Sequence, residues 1–197
     1  MAYLTKLWRP LVAAIIATVT VTPALAKPYC YAELVAGGSL GANKLESGGS
    51  SVTIATDGYT AGLGAGCDYV LDRFVVGALA RASLAKIDGT IDATKIKSDA
   101  AYMVGARAGY MLNGSTLAYV LAGYQWQDLK IPAVDTLDGK GLVLGAGLEF
   151  DVAAGWRLGA EVNRTGLGTF GDGSGDTLKP VNYSAMLTLK YMFAFGQ

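Results

Sequence analysis

The chain has 197 residues, equal numbers of basic and acidic side chains (16 of each) and no histidine. A net charge of zero gives no reason to expect nucleic acid as a partner. The lack of histidine excludes Ser-His-Asp hydrolysis, Cys-His chemistry and imidazole metal sites.

Residues 1–26 have the layout of a secretory signal peptide. Two basic residues, Lys6 and Arg9, precede an apolar stretch that ends in the small-residue sequence Ala-Leu-Ala. We expect cleavage after Ala26, which leaves residues 27–197 as one exported domain with a formal charge of 14 − 16 = −2. An N-terminal membrane anchor is disfavoured because threonines and a proline interrupt the apolar run, which is shorter than the ~20 residues that span a bilayer.

Eight segments alternate between apolar and polar residues with a period of two, which indicates β-strands. They cover residues 29–36, 59–70, 74–84, 100–112, 116–127, 142–152, 156–163 and 181–195. The connections at 71–73, 113–115 and 153–155 are short, and those at 41–57, 86–98, 128–140 and 166–180 are long. Tight turns at one end and long loops at the other are typical of membrane barrels. We therefore predict an all-β fold, an eight-stranded antiparallel up-and-down transmembrane β-barrel.

One face of these segments carries charges of both signs. Its charged residues are Glu33, Asp68, Arg81, Arg107, Glu149, Asp151, Arg157, Glu161 and Lys190. A soluble barrel core would not accommodate so many, because each buried unpaired charge has a large desolvation cost. Inside a membrane barrel the charges can pair, and several fall at similar distances from the short turns. We predict a charge network that plugs a polar barrel interior, with inward glycines making room for it.

The opposite face carries aromatic residues near the strand ends. They are Tyr59, Tyr69, Tyr102, Tyr110, Trp126, Trp156, Tyr191 and Phe193, together with Phe74, Tyr124, Phe150 and Tyr183. We interpret them as the two aromatic girdles of a barrel that crosses both headgroup layers. The alternative is a secreted lipocalin-like barrel with these rings in its core, and the charges on the other face argue against it.

Cys30 and Cys67 fall on adjacent predicted strands, both on the apolar face near the short turns. Export compartments are oxidising and favour a disulfide. We predict a cross-strand disulfide, and two free thiols remain the open alternative.

Two long connections contain weaker candidate sites. Asp172 and Asp176 lie among glycines and could bind calcium, but their spacing does not match an EF-hand and a plain connector is favoured. Lys86, Lys95 and Lys97 could meet lipopolysaccharide phosphates, although a solvated loop is the preferred interpretation. We predict no metal site and no cofactor.

With its signal peptide, eight alternating strands and aromatic-ended last strand, the chain resembles the small outer-membrane barrels of the OmpA/OmpX superfamily. Within it, the chain is similar to opacity-type and alphaproteobacterial surface-antigen and porin-like proteins. The resemblance rests on architecture and covers residues 27–197. It implies an outer-membrane location, with membrane lipids, lipopolysaccharide, the barrel assembly machinery and host or surface ligands as partners. Proteins of this superfamily usually end on the aromatic residue that the assembly machinery recognises. This chain departs from that pattern because Gly196 and Gln197 follow Phe195.

We predict a structural and surface-interaction role in the envelope, without enzymatic activity. The alternative is a porin-like passive channel for small solutes, although an eight-stranded barrel has an interior just wide enough for side chains. A ligand-binding barrel or adhesin that acts through its loops is a third class. Carboxylate catalysis between Glu149 and Glu161 is disfavoured because an ion-pair network explains the same residues.

Overall fold

The computed structural model describes residues 26–47, 50–88, 90–91, 94–95, 97–131, 134–167, 170–171 and 177–194. Its strands are β1 (Ala26–Ser47), β2 (Ser50–Leu71), β3 (Phe74–Asp88), β4 (Thr90–Ile91), β5 (Thr94–Lys95), β6 (Lys97–Asn113), β7 (Thr116–Ile131), β8 (Val134–Ala153), β9 (Trp156–Leu167), β10 (Phe170–Gly171) and β11 (Thr177–Ala194). Within these ranges no helix is long and apolar enough to cross a membrane. Most of the predicted signal peptide lies outside the described residues.

Eight long strands form one closed sheet. Their order is β1-β2-β3-β6-β7-β8-β9-β11, each strand antiparallel to its neighbours, and β1 pairs with β11 to close the barrel. The prediction of an eight-stranded antiparallel up-and-down barrel is confirmed. The two-residue strands add a small β4–β5 hairpin and extend the sheet where β10 pairs with the start of β11.

The three short turns are as tight as their sequences predict. Asp72 and Gly155 adopt positive φ angles of 57° and 75° in the first and third turns, a conformation that glycine adopts without a steric penalty. In the second turn the Ser115 amide donates a hydrogen bond to Oδ1 of Asn113 at 2.9 Å. This is the local bond by which asparagine favours a turn over a continuing strand.

The long connections are more regular than the sequence predicts. β1 and β2 remain paired as far as Ser47 and Ser50, and β7 and β8 as far as Ile131 and Val134. The predicted loops at 41–57 and 128–140 are therefore wrong in extent, because most of these residues belong to extended hairpins. Apolar alternation defined the predicted strands, whereas the backbone ladder of a hairpin needs no apolar side chain.

The two faces of the wall differ in the way that the alternation predicts. Outward apolar side chains such as Leu63 and Leu142 are exposed, and the intervening charged residues are buried in the interior. The interior is not polar throughout, however. Buried apolar side chains of β3, β6, β7 and β8 form a cluster of Val75, Leu79, Met103, Leu117, Tyr119, Leu121 and Val143. The predicted polar interior is thus correct only in part, because β3, β6, β7 and β8 also place apolar residues on the inward face.

Candidate functional site: the charged barrel interior

Arg81 of β3 is the first of two arginines around which the interior charges are arranged. Its Nε lies 2.6 Å from Oε1 of Glu33. Its two terminal nitrogens lie 2.5 and 2.9 Å from the two carboxylate oxygens of Glu161. The planar guanidinium therefore binds one carboxylate of β1 and one of β9, using the fork geometry that distinguishes arginine from lysine.

Arg107 of β6 is the second arginine. Its Nε donates to Oδ1 of Asp68 at 2.9 Å, and Nη2 donates to the other oxygen of the same carboxylate. Its remaining terminal nitrogen lies 2.5 Å from Oε1 of Glu149. This side chain thus connects β2 to β8 through the middle of the barrel.

Lys190 of β11 joins the two arginine clusters. Its ammonium nitrogen lies 2.7 Å from Oε1 of Glu149 and 3.4 Å from Oε2 of Glu33. Because Glu149 also binds Arg107 and Glu33 also binds Arg81, the ion pairs form one continuous network. The sequence places Glu33, Arg107, Glu149, Glu161 and Lys190 at similar distances from the short turns, and the structure brings all five into the network.

Two inward tyrosines belong to this network and were missed in the sequence. The ring of Tyr31 lies beneath the Lys190 ammonium and the Arg107 guanidinium, at 4.3 and 4.8 Å from the ring centre. The ring of Tyr119 contacts the same two cations at 5.6 and 5.1 Å, and its hydroxyl donates to Oε2 of Glu161 at 2.7 Å. Tyr31 lies two residues before Glu33 and therefore on the same face, which is the pattern that could have identified it.

Glycines lie beside the longest charged side chains. Gly64 of β2 is paired with both Glu33 and Arg81. Gly77 of β3 is likewise paired with both Asp68 and Arg107. Each of these glycines leaves the space that its charged neighbours cross on their way to the barrel axis.

The ninth predicted residue, Asp151, lies at the turn end rather than in the middle. Its carboxylate is 2.6 Å from Nε of Arg157, and its side chain is 34% exposed. Arg157 itself is buried, lies 3.6 Å from Glu149 and donates to the Tyr29 hydroxyl at 3.3 Å. Arg157 thus connects the partly exposed Asp151 to the buried network.

The buried charges balance. Among the residues whose side chains the structure describes, eight charged ones are at most 7% exposed, four of each sign: Glu33, Asp68, Glu149, Glu161, Arg81, Arg107, Arg157 and Lys190. A network without net charge and with each charge paired offsets much of the desolvation cost that a single buried ion would have. The carboxylates of Glu149 and Glu161 each accept hydrogen bonds from an arginine. Within the described ranges no group of three or more acidic or cysteine side chains could hold a metal ion.

Cys30 and Cys67 are direct partners in the β1–β2 ladder and are joined by a disulfide, with their Cα atoms 3.9 Å apart. Both side chains belong to the outward face, near the end with the short turns.

The candidate girdle aromatics lie at two levels of the outer face. The hairpin end carries Tyr59, Tyr102, Tyr124, Trp126 and Tyr183, and the turn end carries Tyr69, Phe74, Tyr110, Phe150, Trp156, Tyr191 and Phe193. Ring contacts join neighbours within each level, with centres 5.1 Å apart for Tyr124 and Trp126 and 5.0 Å apart for Trp156 and Tyr191. A hydrogen bond with Tyr110 raises the pKa of Arg73 in the first turn.

The structure does not describe the side chains of the remaining candidate sites. Asp172 and Asp176 are in one of its gaps, and the side chains of Lys86, Lys95 and Lys97 are not described.

Comparison with known proteins decides the family. The profile of the outer membrane protein beta-barrel domain matches residues 11–193, which is most of the chain. The chain belongs to this family. It is therefore an outer-membrane β-barrel protein, and the outward apolar face described above is the face that meets lipid.

Several outer-membrane barrels of known structure are similar to this chain. Neisserial surface protein A is 15% identical, with a TM-score of 0.50 over 85% of this chain and 99% of that chain. Ail of Yersinia pestis, solved with the heparin analogue sucrose octasulfate, is 16% identical, with a TM-score of 0.49 over 83% and 99%. OprG of Pseudomonas aeruginosa is 12% identical, with a TM-score of 0.48 over 86% and 97%. A search of curated proteins found no match. At these identities the likeness to the Neisserial protein extends to the fold alone.

Proposed function

We propose that this outer-membrane barrel is a non-conducting, non-enzymatic anchor that holds long β-hairpins outside the cell as an interaction surface. One observation carries the proposal: the barrel interior is crossed by a connected network of ion pairs whose buried charges balance. A wall of eight strands leaves an interior just wide enough for side chains, so such a network blocks the passage of solutes.

The apolar cluster supports the same conclusion. The ion pairs connect side chains of β1, β2, β3, β6, β8, β9 and β11, and buried apolar side chains such as Leu121 and Val143 pack into the same interior. Opening a path would require breaking ion pairs or moving packed apolar groups. A porin-like channel would need a different arrangement of this interior.

The hairpins support the surface role. β1 is paired on both sides for most of its extension, with β2 as far as Ser47 and with β11 as far as Glu46. A hydrogen-bonded extension presents its residues in a fixed arrangement, which lowers the entropic cost of binding a partner. In this family's barrels the short turns face the periplasm and the long connections face outside.

Three finer assignments are part of this proposal. We infer that the protein is of the OmpA/OmpX type, that it is exported through a signal peptide cleaved after Ala26, and that it is inserted by the barrel assembly machinery. The basic and apolar layout of residues 1–26 supports the second assignment.

Conductance of the refolded protein in a planar bilayer tests the blocked interior. We expect a silent membrane, with insertion verified by a heat-modifiable shift in gel migration. Reproducible current steps would contradict the proposal. If their amplitude changed in Arg107→Gln or Glu149→Gln, but not in the outward Lys140→Gln control, they would establish a channel through the barrel.

An epitope tag tests the orientation independently of conductance. A tag inserted at residues 48–49 should be accessible to antibody on intact cells. The same tag inserted in the turn at 154–155 should require permeabilised cells. The reverse pattern would place the hairpins in the periplasm and contradict the surface role.

A further inference from the structure

The Cys30–Cys67 disulfide lies on the face of the barrel that meets lipid. Cys67 is exposed on the outward side of β2, and Cys30, its direct partner on β1, is half-buried. On the other side of β1, Cys30 is paired with Phe193 of the turn-end aromatic level. Tyr69 of the same level lies two residues nearer the short turn than Cys67, about 7 Å along the strand. The Cys67 sulfur is therefore on the hydrocarbon side of Tyr69 in the inserted barrel.

Lipid opposes the chemistry that makes a disulfide. A thiolate is the nucleophile in thiol–disulfide exchange, and it attacks one sulfur of the oxidant to form a mixed disulfide. An ion on the lipid face of a barrel is disfavoured with increasing depth, and the oxidant must contact the thiolate directly. Both requirements are met while the two cysteines are in water, and the surrounding lipid opposes both after insertion.

The bridge also constrains how β1 pairs with β2. Because Cys30 and Cys67 are direct partners in the ladder, the linked strands have their cysteines opposite each other only in the register that the structure shows. A slip of one residue would turn the outward side chains of one strand inward and would place the two cysteines on opposite faces. β1 is also the strand with which β11 pairs to close the barrel, so its register defines the edge on which closure occurs.

We propose that the disulfide forms before the barrel enters the membrane, by exchange with an oxidised protein dithiol of the periplasm, and that the bridged β1–β2 hairpin then sets the register for closure. In this exchange the two cysteine thiols lose two protons and two electrons and form one S–S bond. The disulfide of the oxidant gains them and becomes two thiols. The inference rests on the proposed export and insertion, and it is independent of the blocked interior.

The reactivity of the thiols in the folded barrel tests the order of the two events. The full mature chain is reduced, refolded into phosphatidylcholine vesicles and exposed to glutathione disulfide, with folding verified by the heat-modifiable shift. We expect the thiols of the folded barrel to be oxidised at least about tenfold more slowly than those of the unfolded chain in the same buffer without vesicles, because a thiolate is disfavoured on the lipid face. Equal rates in the two states would overturn the proposal.

A cysteine pair at the short turn is the matched control. In a Cys30→Ser, Cys67→Ser background, Leu71→Cys and Phe74→Cys place two thiols on outward direct partners of β2 and β3, next to the turn. This pair lies at the water end of the wall, so it should be oxidised in the folded barrel nearly as fast as in the unfolded chain. Equal protection of the two pairs would remove the difference between lipid and water on which the proposal rests.

Pulse labelling of a Gram-negative host that expresses the full chain tests the oxidant. Bridged chains that are not yet heat-modifiable should appear first, and they should be lost in a strain that lacks its periplasmic dithiol oxidase. Heat-modifiable chains that appear first and still carry two alkylatable thiols would overturn the proposal.

Refolding rates test the effect of the bridge on register. The bridged chain should refold into vesicles at least about threefold faster than the reduced chain, because the loop between residues 37 apart is already closed. The Cys30→Ser, Cys67→Ser double variant should refold at the rate of the reduced wild type. Equal rates for the bridged and reduced chains would overturn the role in closure. Refolding involves no export step and no bilayer current, so this result can fail while the proposed export and the blocked interior are upheld.

Discussion

Glu33 and Lys190 are direct partners in the pairing of β1 with β11 that closes the barrel, and their charged groups lie 3.4 Å apart. The first and last long strands of the chain therefore meet at an ion pair. Lys190 also contacts Glu149 of β8 at 2.7 Å, so the closing seam is connected to the rest of the ion-pair network. Barrel closure and interior packing are stabilised by the same side chain.

Replacing Lys190 should destabilise the barrel strongly. The Lys190→Met variant removes the cation that contacts both Glu33 and Glu149. Because the two carboxylates remain buried, we expect the free energy of unfolding to fall by about 3–5 kcal/mol. Urea titration of the protein in lipid vesicles measures this loss. The double variant Lys190→Met with Glu149→Gln restores charge balance and should recover part of it. If the free energy of unfolding of Lys190→Met alone were within about 0.5 kcal/mol of the wild-type value, the network would contribute little to stability.

Two glycines in neighbouring strands should respond oppositely to alanine. A methyl group on Gly64 would lie 2.8 Å from Cγ of Glu33 and 2.9 Å from the Ala80 carbonyl oxygen, whereas one on Gly38 would meet nothing closer than the Gly58 carbonyl oxygen at 3.7 Å. We expect Gly64→Ala to cost about 1–3 kcal/mol by overpacking. Gly38→Ala should be neutral or stabilising by up to about 1 kcal/mol. The urea midpoint of each variant is the measurement, and equal effects would argue against a tightly filled interior.

The disulfide should be present in protein purified without reductant. Thiol reagents should then fail to label the unfolded chain until it is reduced. The bridge links residues 37 apart in the sequence, and the loop-entropy relation gives a stabilisation of about 4 kcal/mol for such a loop. Replacing both Cys30 and Cys67 with serine should lower the free energy of unfolding by up to this amount, and reducing the wild type should have a similar effect. Two reactive thiols in the unreduced chain would contradict the bridge.

The architecture could be predicted because lipid and lumen impose opposite requirements on alternate residues. Strands such as β8, with Leu144 and Leu148 outward and Gly145 and Glu149 inward, identify both faces without further information. On β7 this criterion fails, since Leu121 faces inward between the outward Val120 and Ala122. Periodicity alone therefore did not show the apolar cluster of the interior.

The choice of partners inside the barrel could not be predicted. Arg81 binds Glu161, although 80 residues separate them and their strands are not neighbours in the sheet. That contact depends on the stagger between strands around the closed sheet and on how far each side chain reaches across the lumen. A period-two pattern specifies which face a residue occupies, but it does not specify the stagger.

The two tryptophans beyond the predicted cleavage site should report the two membrane interfaces. Trp126 lies at the hairpin end of the outer face and Trp156 begins β9 at the turn end. Aromatic side chains of barrel girdles lie at the level of the headgroups, so each residue should be quenched most by lipids brominated near the headgroup. Trp126→Phe and Trp156→Phe isolate one signal each, and fluorescence of the variants refolded into brominated vesicles gives the depth. Strongest quenching of Trp156 by bromines at the chain ends would place the turn end within the hydrocarbon and contradict the span defined by the girdles.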